Sequence, residues 1–548
     1  MKFKVAAFLL FNLVVVNCSF GQNFTIYGDK VFGGDLGESN AMITKVNNNL
    51  MVIGTTYSNY GTGNVTDTVC NNVTLSQNSD AWLVMIDTAL NILWDKSIGG
   101  ERGEIINSSV VNPVENKYFF VTYSNSDISC EKSENNKSYP NTSYDYWIYC
   151  VDSLGNKLFD KTFGSDVVDD FPYLTMLSDS NFLVVGRNIG GPGGDKTVNG
   201  YGAEDYWAVK FDQSGNKIWD NVYGGSGIEW GYDNSFGINV VPTENGSFVL
   251  AGSTDSDISG NISQPNQGVT DMWMIKVDNA GNKIWDKRFG GTSADNLSCM
   301  IKSGDGYMLM GTTESSQGGD VSDPTIGGFD VWVLKLDSVG NKIWDKRYGG
   351  SANEYANTMV ATVDGGYLIS ATTESPADFD VTENSYGAMD YWIFKIDSVG
   401  NKSVDKRFGG PGNDRVSNFI IMPDSSIFLC GYADSGTSPV KTEFGYGFSD
   451  YWVIHFKNES LYSGVGDELE ESVVSVYPNP TADWINIDVK QNKGNNTFIL
   501  FDILGHQLFT EKIEANYKFN LKNYEGSIYF YQVTNEEGHS QFGKIVKQ

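Results

Sequence analysis

Histidine is nearly absent from this chain: His455, His506 and His539 are the three among 548 residues. That scarcity removes the commonest general base, and no His-Glu-x-x-His, Gly-x-Ser-x-Gly or phosphate-cradling loop occurs. A carboxylate-pair glycosidase needs no histidine, so polysaccharide cleavage stays open. Basic residues are also few, 38 against 68 acids, for a net charge of −30. Nucleic acid and anionic lipid surfaces need a basic footprint, so both are disfavoured. Cations and neutral polyols fit better, and the acidity serves equally well as a solubility device of a secreted protein. Long apolar runs are missing after Val5 to Val16, and nothing else approaches the ~18 residues that span a bilayer. That first run follows Lys2 and Lys4 and leads into Cys18-Ser-Phe-Gly-Gln22, the pattern of a secretory signal peptide over residues 1–22. A lipoprotein reading would use Cys18 but finds Asn17 where the acylation motif wants a small residue. Cys70, Cys130, Cys150, Cys299 and Cys430 remain, an odd number at spacings unrelated to any repeat, which is no disulfide framework. Cys299 and Cys430 fall in expected strands, as small buried apolar residues do. Cys70 and Cys130 occupy the equivalent long loop of adjacent repeats, which allows a bridge in an oxidising compartment.

What the chain has in abundance is one unit. Asp-x-Trp recurs seven times, ending at Trp82, Trp147, Trp207, Trp273, Trp332, Trp392 and Trp452, with spacings of 65, 60, 66, 59, 60 and 60 residues. Repeats of this length made of short apolar strands predict an all-β fold, a seven-bladed β-propeller over residues 23–457. The sixth unit shows four strands, and its third, around Trp392, is apolar on both faces, as a sheet sandwiched between neighbours requires. Asp-x-x-Gly-Asn joins the third strand to the fourth, an Asp-initiated turn with Gly in the left-handed position. The first unit has Leu90 in place of that Gly, so its turn is expected to take another shape. The last unit stops near Phe456 without a fourth strand, and the chain begins with an orphan one, Tyr27 to Gly34. The N-terminal strand is therefore expected to close the last blade and remove two exposed edges.

An acid follows each strand-four ending at the same interval: Glu38, Glu104, Asp169, Glu229, Asp295, Glu354 and Asp414. In a propeller this position is expected to ring the mouth of the central channel, where clustered oxygens would suit Ca²⁺, another hard cation or a basic group. The competing reading pairs each acid with a nearby Lys or Arg, such as those before Phe289, Tyr348 and Phe408, or with backbone N–H groups between blades. The loops between strands two and three vary most in length, and their Ser, Asn, Gly, Tyr and Asp content suits sugars or solvent alike. Asp255, Asp257 and Ser259 before Gly260 resemble the start of a calcium loop, but Asn266 stands where its bidentate acid belongs.

After an acidic linker over residues 458–472, residues 473–548 alternate like a small C-terminal β-sandwich. The entry Tyr-Pro478-Asn479-Pro480, the Asp-Ile-Leu-Gly505 turn, the late strand at Gly526 and the closing Lys544-Ile-Val-Lys547 resemble the type A C-terminal sorting domain of the Bacteroidetes type IX secretion system. The resemblance implies handling by that machinery, removal of the tail, and release or anchoring at the outer cell surface. The propeller repeats look like those of uncharacterised surface proteins from the same bacteria. Thr68, Thr88, Ser153, Ser338 and Ser398 stand in tripeptides similar to the O-glycosylation signal of that group, although Asp-Ser is also good turn chemistry. The expected function is non-catalytic recognition of glycan or another surface polymer. A polysaccharide-cleaving enzyme using the channel-mouth carboxylates, and a structural scaffold or adhesin component, are the alternatives.

Overall fold

The computed structural model describes residues 24–458, apart from 68–69, 71–78, 113–116, 138–142 and 230–237, and residues 474–547, apart from 478–480, 482, 490–495, 502–506, 515, 525–527 and 535–539. Two compact units divide between Tyr462 and Ser463. Apart from one 3-10 turn at Glu244–Gly246, the described secondary structure is strand.

Among the described residues the first unit holds seven four-stranded antiparallel sheets. In the sixth the strands are Glu354–Ala361, Tyr367–Thr373, Asp390–Ile396 and Lys402–Phe408, paired in chain order. Its third strand is buried on both faces because a neighbouring sheet covers each one. Trp392, Phe394 and Ile396 join a core with Met308 and Val333 of the fifth sheet, whereas Tyr391 and Ile393 join another with Trp452 and Ile454 of the seventh. The same logic carries from the last sheet to the first: Phe428, Tyr451 and Val453 share a core with Ile43, Val52 and Trp82.

Each motif tryptophan is fully buried, and its indole N–H finds an acceptor, as a buried indole must. Trp147 Nε1 donates to Asp160 at 2.9 Å, Trp332 to Asp345 at 3.0 Å and Trp392 to Asp405 at 3.0 Å, each acid lying on the adjacent fourth strand. The loop between strands two and three is tied to the same carboxylate, as when the Thr382 amide and hydroxyl donate to Asp405 at 3.0 and 2.8 Å. In the seventh sheet the acceptor comes from the other end of the chain. Phe24–Phe32 pairs antiparallel with Asp450–Asn458, and Trp452 Nε1 donates to Asp29 at 3.0 Å.

The Asp-x-x-Gly-Asn turns form as their chemistry dictates: Asp397 Oδ1 accepts the amides of Val399 and Asn401, with Gly400 at φ +87°. Leu90 corrects the expectation of a different turn. It adopts φ +66° and keeps the same backbone bonds, Leu90 to Asp87 and Asp87 to Asn91, both 3.0 Å. Its side chain is buried in the core that holds Trp82 and Ile86. Burying a leucine contributes about 1.5–3 kcal/mol, enough to offset the roughly 1–2 kcal/mol of a left-handed residue.

A disulfide joins Cys70 to Cys130, 60 residues apart, between corresponding loops of the first and second sheets. Closing a loop of that length restrains the unfolded chain by about 4 kcal/mol on entropic grounds. Cys150, Cys299 and Cys430 are buried and take no part in a disulfide among the described residues.

In the second unit one sheet orders Val474–Tyr477, Trp484–Val489 and Asn516–Asn520, and the other orders Gln507–Ile513, Asn496–Phe501, Ile528–Thr534 and Ser540–Val546. Alternate residues of these strands, among them Ile485, Ile487, Phe498 and Leu500, meet Phe519 and Ile545 in one apolar core.

Candidate functional site

The first strands of six sheets each carry a β-bulge at the same point, and the fourth sheet's first strand is described from Asn239. A bulge leaves a residue unpaired and re-aims its side chain. The residues so displaced include Asn40, Asn107, Ser298, Asn357 and Ser417. All five line a single cavity of about 700 Å³, to which Tyr173 of the third sheet and Asn239 of the fourth also contribute. Residues of these sheets thus meet around one space, whose volume falls inside the ~300–1,000 Å³ of small-molecule sites. Its walls mix amides, hydroxyls and aromatic rings with aliphatic residues such as Ile43, Ile106 and Val416, and Arg415 is the sole charged side chain among the described residues that line it. Asn107 Oδ1 and Ser298 Oγ are buried without a hydrogen-bond partner. Such atoms are rare in a folded protein and mark a place where water or a ligand completes the bonding.

Sequence reasoning missed these residues. A signal was present, since Asn107, Ser298, Asn357 and Ser417 each stand three positions after a repeat acid, inside a strand otherwise read as apolar.

The seven repeat acids were expected at a channel mouth. The structure instead seals Glu38, Glu104, Asp169, Glu229, Asp295, Glu354 and Asp414 between sheets, all fully buried, and none lines the cavity. The reason is local. One carboxylate oxygen accepts the amide of the second residue of the Gly-Gly or Gly-Ser ending, and the other accepts a side chain at the end of the second strand. For Glu354 these donors are Gly350 N at 2.8 Å and Thr373 Oγ1 at 2.6 Å. For Asp414 they are Gly410 N at 2.7 Å and Ser435 Oγ at 2.6 Å. The Asp of the preceding Asp-x-Trp motif closes on the first glycine of the ending: a Cβ on Gly349 would lie 2.5 Å from both Asp330 Oδ1 and Glu354 Oε2. Glycine is required there because two carboxyl groups occupy the space. Burial, aided by these like-charged neighbours, pushes Asp145 up to about 8 and Asp295 to about 6, and Glu354 also rises. The arginines before Phe289, Tyr348 and Phe408 do not pair with the repeat acids. Arg288, Arg347 and Arg407 pair with the Asp-x-Trp acids Asp271, Asp330 and Asp390.

The calcium-loop-like segment spends its oxygens on donors of the protein itself. Asp255 accepts Ile228 N at 2.6 Å, Asp257 accepts Ile258 N at 2.9 Å, and Asn266 faces Arg288. No group of three or more His, Cys, Asp or Glu among the described residues is placed to hold a metal. His455 stacks on Phe428 at 3.9 Å, and burial lowers its pKa. The loops of the first and seventh sheets expose Tyr57, Tyr60, Phe444, Tyr446 and Phe448, with Asn64 donating to the Tyr446 hydroxyl at 3.4 Å. Thr88, Ser338 and Ser398 are exposed in hairpin turns and Ser153 is half-buried in one, while Thr68 lies outside the described residues. In the tail, Pro478, Asn479, Pro480, Gly505 and Gly526 also lie outside them. Lys544 belongs to the last strand, and Lys547 donates to the Tyr524 carbonyl.

Residues 475–548 match the family described as a secretion system C-terminal sorting domain. The chain ends in a sorting tail. That tail implies handling by the type IX secretion machinery and a cell-surface or extracellular place. No helix among the described residues is long and apolar enough to cross a membrane. Regulatory protein FlaEY of Caulobacter vibrioides is 23% identical over 201 residues, 34% of this chain and 20% of that protein, so the chain spans a fifth of its length. Among solved structures, BBS1N in complex with ARL6DN aligns with a TM-score of 0.41 at 6% identity, covering 80% of this chain and 98% of that one. Polysaccharide lyase Uly1 aligns with a TM-score of 0.39 at 9% identity, covering 77% and 90%.

Proposed function

We propose that residues 23–457 form a closed seven-bladed β-propeller, exported by its sorting tail, that acts as a non-catalytic recognition module for glycan. The observation that carries the reading is the cavity of about 700 Å³ into which each sheet's first strand sends a residue, most of them amides and hydroxyls set by β-bulges. Uncharged donors and acceptors beside aromatic rings such as Tyr173 and Tyr355 match the alternating hydroxyl and C–H faces of a sugar. Closure is supported by the N-terminal strand completing the seventh sheet and by the core shared between first and last sheets. The exposed aromatic residues on the loops of the first and seventh sheets add a second surface suited to a polymer running past the cavity. The repeat acids fit a structural role, since their oxygens are spent on the chain itself.

The test is binding of the purified full chain to a glycan array, with Ca²⁺ and with chelator, followed by analysis of any bound glycan for cleavage. Selective binding without cleavage, unaffected by chelator, is the expected outcome. Cleavage would move the protein to the enzyme class, and an array with no selective signal would favour a structural scaffold.

A further inference from the structure

Arg415 stands apart from the other arginines around it. Arg187, Arg288, Arg347 and Arg407 are each ion-paired with an aspartate. Arg415, the second residue of the strand Asp414–Ile421, has neither an ion pair nor a hydrogen bond from its side chain among the described residues, in a chain with 68 acids to choose from. It is exposed, lies opposite Tyr432 in the sheet register, and both line the cavity. No carboxylate lines that cavity among the described residues. Among the described residues the lining thus carries one charged group, a cation, in a molecule whose net charge is −30. An unpaired guanidinium is a planar fork of donors matched to a carboxylate. The overall negative field disfavours a densely anionic polymer. It tolerates one negative charge on an otherwise neutral ligand whose hydroxyls the bulged Asn and Ser residues can bind.

We propose that the cavity takes an acidic saccharide carrying a single carboxylate, a uronic or similar sugar acid within a neutral glycan. Arg415 holds the carboxylate, and Asn107, Ser298 and Asn357 bind the hydroxyls. This rests on the recognition reading above and adds the ligand's charge. It requires no bond to form or break.

Calorimetry on the full chain tests it with two pairs of probes: aldotetraouronic acid and sialyllactose, each beside its carboxyl-reduced form. The expected result is that at least one acidic oligosaccharide binds about tenfold or more tightly than its reduced form, as a charge-assisted pair allows. Arg415→Gln should abolish that difference with an unchanged melting temperature, because the side chain makes no ion pair or hydrogen bond among the described residues. Asn357→Ala should weaken the acidic probe and its reduced form by the same factor. Equal binding of acidic and reduced forms by the wild-type chain would overturn the inference and leave glycan recognition standing. Acid-selective binding that survives Arg415→Gln, or is untouched by Asn357→Ala, would overturn the assignment to this cavity. Failure of all four probes, with neutral glycans bound on the array, would overturn the charge preference alone, whereas failure of both would overturn the recognition reading as well.

Discussion

At the scale of single residues, the repeat acids show how a regular pattern can be read in full and still be placed wrongly. Their interval was plain in the chain. Their burial depends on partners that no interval reveals: the amide of a glycine ending, a hydroxyl one strand away, and a second carboxyl from the preceding sheet. Glu354 is the clearest case, held by Gly350 and Thr373 with Asp330 behind it. Glu354→Ala leaves two buried donors without an acceptor and should cost about 1–3 kcal/mol in denaturant unfolding. Glu354→Gln, which keeps an acceptor oxygen and carries no charge, should cost less.

The same carboxyl pairs set a pH dependence. Burial raises Asp145 to about 8, Asp169 to about 7 and Asp414 to about 6, above the usual carboxylate range near 4. A folded state that holds protons the unfolded chain has released loses stability as pH rises. Their contribution is complete below about pH 4 and should be lost progressively toward pH 8. Acids such as Asp160 and Asp286 work in the opposite sense. Burial alone would raise them, but hydrogen bonds from the loop Ser, from Lys157 or Lys283 and from the tryptophan outweigh it and leave them below their ordinary value. Their contribution is lost as pH falls below the usual carboxylate range. Melting temperature measured from pH 3 to 8 should therefore peak near pH 4–5, and a maximum at pH 7–8 would mean that the buried pairs are ionised at little cost.

At the scale of elements, the strands and turns were largely legible because each rests on a short-range rule: two-sided apolar strands, Asp-initiated turns, and an orphan first strand matched by a last unit that lacks its fourth. What escaped was governed by tertiary context. Leu90 keeps its turn because the core behind it rewards the side chain. The β-bulges add one residue to strands whose partners lie in another segment, so a reading of apolar periodicity passes over Asn107 and Asn357. The pairing of Phe24–Phe32 with Asp450–Asn458 concentrates on Asp29, which accepts from Trp452 and from the Thr442 amide. Asp29→Ala should destabilise the first unit by about 1–3 kcal/mol and expose the edge of Asp450–Asn458, with faster proteolysis near the N-terminus and a tendency to self-associate. Unchanged stability and proteolysis would show that the terminal strand is not needed to hold the seventh sheet.

At the scale of the whole molecule, first strands of the first unit's sheets contribute to one cavity whose mixed lining no single repeat could build. The repeat unit explains the cores between sheets, and small departures from it, an Asn here and an Arg there, give the cavity its chemistry. That division accounts for why the architecture was readable from the chain and the ligand was not. The most direct measurement compares wild type with the triple variant Asn107→Ala, Ser298→Ala, Asn357→Ala for binding to the tightest glycan found on the array. Recognition in the cavity predicts an affinity loss of about tenfold or more with little change in melting temperature, since two of the three side chains include an atom the fold leaves unbonded. Unchanged affinity in the folded variant would contradict the account and move recognition to the loops.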